Sequence, residues 1–196
     1  MSKKEIYNFW IKLPVVTRSL TCFDSDELNT LTDFIINTGD VQKRKTNVKA
    51  PMSDWYLHEE NPLVKRLCDE AITVVKSIHG KSFNPPEFYT RKCWGAVYGK
   101  GDFTASHLHS PNVYSWCFYL RMPEGSSPLV FPEADLTIQP EECDIVVFSG
   151  LARHSVPPCE VDNRIVIAGN IGAKQLLDIT NESWYVISIV RKGCLI

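Results

Sequence analysis

Four side chains in this 196-residue chain have types and spacing that could do chemistry together: His107, His109, His154 and Arg164. His107 and His109 close the stretch Gly99-Lys-Gly-Asp-Phe-Thr-Ala-Ser-His-Leu-His109. Two residues apart on a strand, they share one face. His154 follows the apolar run Asp144-Ile-Val-Val-Phe148, and Arg164 opens the β-branched run Arg164-Ile-Val-Ile-Ala-Gly-Asn170. Two ligands from one strand, a third from a distant one and an arginine on the next suit a non-haem iron(II) site in an antiparallel barrel. Imidazole and carboxylate ligands favour such a metal, and three ligands on one side leave positions open for other groups.

Arg164 adds a second requirement. A guanidinium in a barrel wall needs an anion, and a dicarboxylic co-substrate supplies one, pairing bidentately with the arginine. Period-two alternation places Val166, Ala168 and Asn170 on the Arg164 face, giving a small-walled pocket beside the charge.

The elements that must position these groups can be read along the chain. Tyr7 to Val16 reads as an edge strand, with Pro14 tolerable there. Asp24-Ser-Asp-Glu27 starts a helix in which Leu28, Leu31 and Ile35 form an apolar face, and Gly39 stops it. Val41 to Ala50, with Lys43, Arg44, Lys45 and Lys49, reads as a solvated loop. Asp54 to His58 looks like a short strand, with His58 structural. Asn61 and Pro62 open a second helix whose apolar positions run from Leu63 to Ile78, ended by Gly80. His79, in its last turn, is explained by the helix dipole. Both helices are expected to pack outside a sheet.

From about residue 86 the texture becomes one of short apolar or alternating runs broken by Gly, Pro, Asn and Asp. These are Tyr89 to Tyr98, Phe103 to His109, Val113 to Leu120, Leu129 to Phe131, Leu136 to Ile138, Asp144 to Phe148, Arg164 to Ile171 and Trp184 to Val190. Strands at this spacing argue for a sandwich or barrel. The Pro123 to Pro128 tract reads as a hairpin loop. The expected fold class is mainly β with flanking helices, a jelly-roll or double-stranded β-helix, in one domain over 1–196 with helical support to about residue 85.

Composition is that of an ordinary globular chain, 44% hydrophobic and 22% charged. A net charge of −2 gives no electrostatic footprint of a nucleic-acid binder, and no apolar run is long enough for a bilayer. Seven scattered cysteines without a Cys-x-x-Cys pair, and no export signal at the N-terminus, point to free thiols in a cytoplasmic protein. The cysteines read as small buried hydrophobes.

The stretch from about Tyr89 to Ile171 resembles the iron(II)/2-oxoglutarate-dependent dioxygenases, in their prolyl-hydroxylase-like branch. It is most similar to bacterial and phage proteins with the pattern Trp…Gly…His-x-His-Pro…Ser-Gly-x-Tyr-Tyr and a later His…Arg. The matching residues are Trp94, Gly101, His107-Leu-His109, Ser115-Trp-Cys-Phe-Tyr119, His154 and Arg164. The resemblance implies that His107, His109 and His154 hold iron(II) and that Arg164 binds the distal carboxylate of 2-oxoglutarate. Tyr98, in a Tyr-x-x-Gly turn, would also contact that co-substrate, and Tyr119 and Asn170 are further candidates. The implied reaction is decarboxylation of 2-oxoglutarate to succinate coupled to hydroxylation of a prime substrate, peptidyl, prolyl or other, with dioxygen. A phage origin would place the protein in the cytoplasm of a bacterial host.

The chain departs from the family pattern twice. His109 stands where relatives carry Asp or Glu; Asp102 is the alternative carboxylate, but has the opposite strand parity and would need a bulge. Val166 stands where many relatives carry Ser or Thr. Two other readings stay open: a three-histidine cupin-like dioxygenase that binds its substrate directly on iron, and a non-enzymatic jelly-roll binding or virion module.

Overall fold

The computed structural model describes residues 12–80 and 86–174. Two five-stranded antiparallel sheets face each other. The first runs β1 (Val15–Ser19), β8 (Asp144–Ser149), β5 (Tyr114–Arg121), β10 (Arg164–Lys174), β3 (Glu87–Tyr98). The second runs β2 (Val48–Lys49), β4 (Phe103–His107), β9 (His154–Val156), β6 (Leu129–Phe131), β7 (Leu136–Ile138). This is the expected double-stranded β-helix.

Two apolar layers hold it together, set by strand alternation. Phe118, Ile145, Val147, Ile165 and Ile167 face outward onto helices α1 (Ser25–Asn37) and α3 (Pro62–His79), which bury Leu31, Ile35, Val64, Leu67 and Val75 against them. Residues of opposite parity, among them Trp94, Tyr119, Phe148 and Val166, line the space between the sheets. Both helices start as the sequence dictates. Asp24 and Glu27 form a reciprocal capping box, and Asn61 Oδ1 accepts from the amides of Leu63 and Val64. The outer layer also explains His79, whose Nε2 lies 2.9 Å from the Tyr114 hydroxyl.

Three sequence expectations are corrected. Asp54 to His58 is not a strand: Tyr56 makes an isolated bridge to Cys93, and Leu57–Glu60 is a one-turn helix, α2, that buries Leu57. The basic stretch 41–50 is not simply a solvated loop. Val48 and Lys49 pair with Thr104 and Phe103, Ala50 is fully buried, and Arg44 is salt-bridged to the buried Asp102. The Pro123 to Pro128 tract is not a hairpin loop, because β5 and β6 belong to different sheets. Of the first expected strand, Val15 and Val16 begin β1, while residues 7–11 lie outside the described residues, as does the expected strand at 184–190.

Candidate metal centre

The two sheets bring the three histidines together from different segments. His107 ends β4 and His154 opens β9, and the two are register partners. His109 is beyond the strand, contrary to a continuous run to residue 109. A turn places it instead: its amide donates to Gly150 O at 2.8 Å, and Asn112 donates both its amide and Nδ2 to His109 O. Gly150 has no room for a side chain, because a Cβ there would run into Asn112 O.

The ring centroids of His107, His109 and His154 are 4.4 to 5.0 Å apart, and one nitrogen from each falls within 4.8 Å of the others. His107 Nδ1 lies 2.8 Å from Ala105 O, and His154 Nδ1 lies 3.0 Å from Ala152 O. A carbonyl only accepts, so each Nδ1 carries the proton and leaves an Nε2 lone pair for a metal. Burial, followed by mutual repulsion among the rings, pushes His109 down to about 3 and His154 to about 4, and burial lowers His107 as well. All three are neutral at neutral pH, the form a metal needs. Asp102 is outside this group: its carboxylate accepts from the Gly99 amide and pairs with Arg44, stitching a turn.

Arg164 is 1% exposed, and its Nε and Nη1 have no hydrogen-bond partner. Its guanidinium lies over the Tyr98 ring at 4.6 Å and near the Tyr119 ring at 5.5 Å. Tyr98 donates to or accepts from Thr104 Oγ1 at 2.7 Å, while the fully buried Tyr119 hydroxyl has no partner. Burial raises both phenols, so Tyr119 stays a neutral donor, with only the Cys117 thiol beside it. These orphaned donors and the three histidines line one cavity of about 50 Å³. Unpaired buried donors of this kind cost about 1–3 kcal/mol each, which a bound anion would offset. Val166 and Ala168 line the same cavity, as period-two alternation requires.

Asn170 is placed elsewhere. It lines a neighbouring cavity of about 160 Å³, which His107 and His109 share with Trp55, Lys92 and Asn47. Its Oδ1 accepts from Ser115 Oγ at 2.7 Å. Sequence reasoning missed Trp55, Lys92 and Asn47. Parity with Trp94 marks Lys92 as inward-facing, but nothing local signals that residues 46–55 fold over this opening.

No protein-family model and no curated protein matches the sequence. Solved structures match the fold. A viral collagen prolyl hydroxylase from Paramecium Bursaria Chlorella virus-1, complexed with 2-oxoglutarate, superimposes with a TM-score of 0.65 at 14% identity, over 80% of this chain and 94% of that one. A Pseudomonas putida prolyl-4-hydroxylase gives 0.61 at 18% identity, over 82% and 92%. A Trichoplax adhaerens prolyl hydroxylase bound to a hypoxia-inducible-factor peptide gives 0.58 at 15% identity, over 80% and 82%. The architecture is therefore the double-stranded β-helix that these solved prolyl hydroxylases share. Within that architecture, His107, His109 and His154 are positioned to hold a metal ion.

Proposed function

We propose that this chain is an iron(II)- and 2-oxoglutarate-dependent dioxygenase that hydroxylates a second substrate. The observation that carries the reading is Arg164, a buried cation with two unbonded nitrogens, in the same cavity as three convergent neutral imidazoles. The donor set fits the group: imidazole nitrogens suit iron(II), and the orphaned guanidinium suits a carboxylate. The solved structures of like fold include one with 2-oxoglutarate bound and another with nickel and 2-oxoglutarate.

His107, His109 and His154 would hold iron(II), which when bound supplies the oxygen chemistry. Arg164 would take the far carboxylate of 2-oxoglutarate, and the Tyr119 hydroxyl is free to donate beside it. Tyr98 holds the guanidinium by its ring face, and its hydroxyl is anchored on Thr104. Phe148 packs 4.5 Å from the His154 ring, and Phe131 backs it at 6.0 Å, keeping water from that side of the site. His109, in place of a carboxylate, leaves the metal centre one unit more positive, which favours anionic co-ligands.

The test is an anaerobic titration of full-length protein with iron(II) and 2-oxoglutarate. A weak visible charge-transfer band, then succinate release on admitting oxygen, is expected. Absence of both the band and succinate release would overturn the reading.

A further inference from the structure

Like Arg164 at the other end, Lys92 faces inward from the first sheet, where it lines the cavity shared with His107 and His109. Along its inner face, β3 and β10 pair Tyr98 with Arg164 at one end and Lys92 with Asn170 at the other. Six residues of strand separate the ends, about 20 Å at the usual rise. The histidine cluster lies against the middle of this face, with the His109 ring 6.1 Å from Trp94. Arg164 terminates the smaller cavity and Lys92 lines the larger, and the two cavities share His107 and His109.

Lys92 forms no salt bridge among the described residues. Its Nζ rests 4.8 Å from the centroid of the Trp55 ring, which packs edge-on against Trp94 at 5.1 Å. A partly buried cation on an aromatic face gains about 0.5–2 kcal/mol, less than the roughly 1.5–3 kcal/mol of a charge-assisted hydrogen bond to an anion. No carboxylate lines this cavity. Its nearest acid in sequence, Asp54, is exposed and bonded to the Trp55 amide. Asn170 adds to the polarity: with Oδ1 engaged by Ser115, its remaining polar group is the donor Nδ2. The segment that supplies Asn47 to the opening also carries Lys43, Lys45 and Lys49, whereas Arg153, near His107, is already paired with Glu133 at 3.2 Å.

We infer that the cavity beside the metal ligands binds the prime substrate through an anionic group, carboxylate or phosphate, taken by Lys92 with Asn170, while Trp55 and Trp94 pack its carbon part. This rests on the oxygenase reading for the word substrate, but not for the binding site. The anion could belong to a small molecule or to an acidic side chain of a peptide.

Full-length protein is titrated calorimetrically with phenyl phosphate, with its neutral counterpart phenol, and with an acetylated Asp-Pro-Glu tripeptide amide against its Asn-Pro-Gln analogue. Each titration is run alone and again with manganese(II) and 2-oxoglutarate present to fill the Arg164 end. Expected is binding of at least one anionic probe, about tenfold or more tighter than its neutral partner, accompanied by a change in tryptophan emission as Lys92 leaves the Trp55 face. Lys92→Met should lose that preference and Lys92→Arg restore it, while Arg164→Met keeps it. The tighter of the two anionic probes names the source. Equal binding to Lys92→Met and wild type, or no anion preference in wild type, overturns the inference. Absence of 2-oxoglutarate binding in its own titration would overturn the oxygenase reading and leave this result standing.

Discussion

His107 and His154 are register partners across β4 and β9, with ring centroids 4.4 Å apart and each Nδ1 tied to the carbonyl two residues before it. The same local device orients both rings, so both ligands are set before a metal arrives. Either His107→Ala or His154→Ala should then weaken manganese(II) or iron(II) binding by at least about a hundredfold while leaving the fold intact, since ligand loss exceeds the 10–100-fold usual for an outer-shell partner. Calorimetric metal titration with circular dichroism checks it; near-native affinity in both variants would remove the metal centre.

Arg164 makes opposite predictions for affinity and stability. Arg164→Met should lower 2-oxoglutarate affinity by roughly 10–100-fold, the worth of a hydrogen-bonded charge pair. In metal-free protein it should stabilise, because it removes a guanidinium whose Nε and Nη1 are buried without partners. A chemical-denaturation midpoint that falls instead would show Arg164 to be a structural cation.

Gly150 tests how His109 is placed. A Cβ there would strike the backbone of Asn112, and Gly150 O accepts the His109 amide. Gly150→Ala should displace His109 and lose metal affinity by about tenfold or more, for a stability cost of roughly 1–3 kcal/mol. Metal titration beside thermal melting reads both; unchanged affinity would mean the turn does not set the ligand.

The histidines also fix a pH dependence. Burial holds His109 down at about 3 and His154 at about 4, below the ordinary 6.5 of imidazole. Between those values the unfolded chain binds protons that the folded, metal-free chain refuses, so stability is full above about pH 6.5 and declines as pH falls towards 4. His-to-Gln variants at 109 and 154 should flatten that slope in urea midpoints taken across the range. An unaltered slope would assign the dependence to other groups.

The sequence by itself determined the two long helices, most strands and the set of histidines that the fold brings together. Capping residues, period-two alternation and helical spacing are local, so Asp24, Asn61 and the inward parity of Arg164, Val166 and Ala168 could be read directly. The resemblance carried by His107, His109, His154 and Arg164 pointed to the fold that the superpositions show. What only the tertiary structure decided depends on contacts between residues far apart in sequence. His109 is aimed by Gly150 and Asn112 rather than by strand alternation, and Asp102 is spent on Arg44. Asn170 falls in the Lys92 cavity because six residues of strand carry it past the histidine cluster. Trp55 reaches that cavity because residues 51–55 pair along the open edge of β3. Sequence periodicity fixes which way a side chain faces; only the docking of one sheet on the other fixes what it faces.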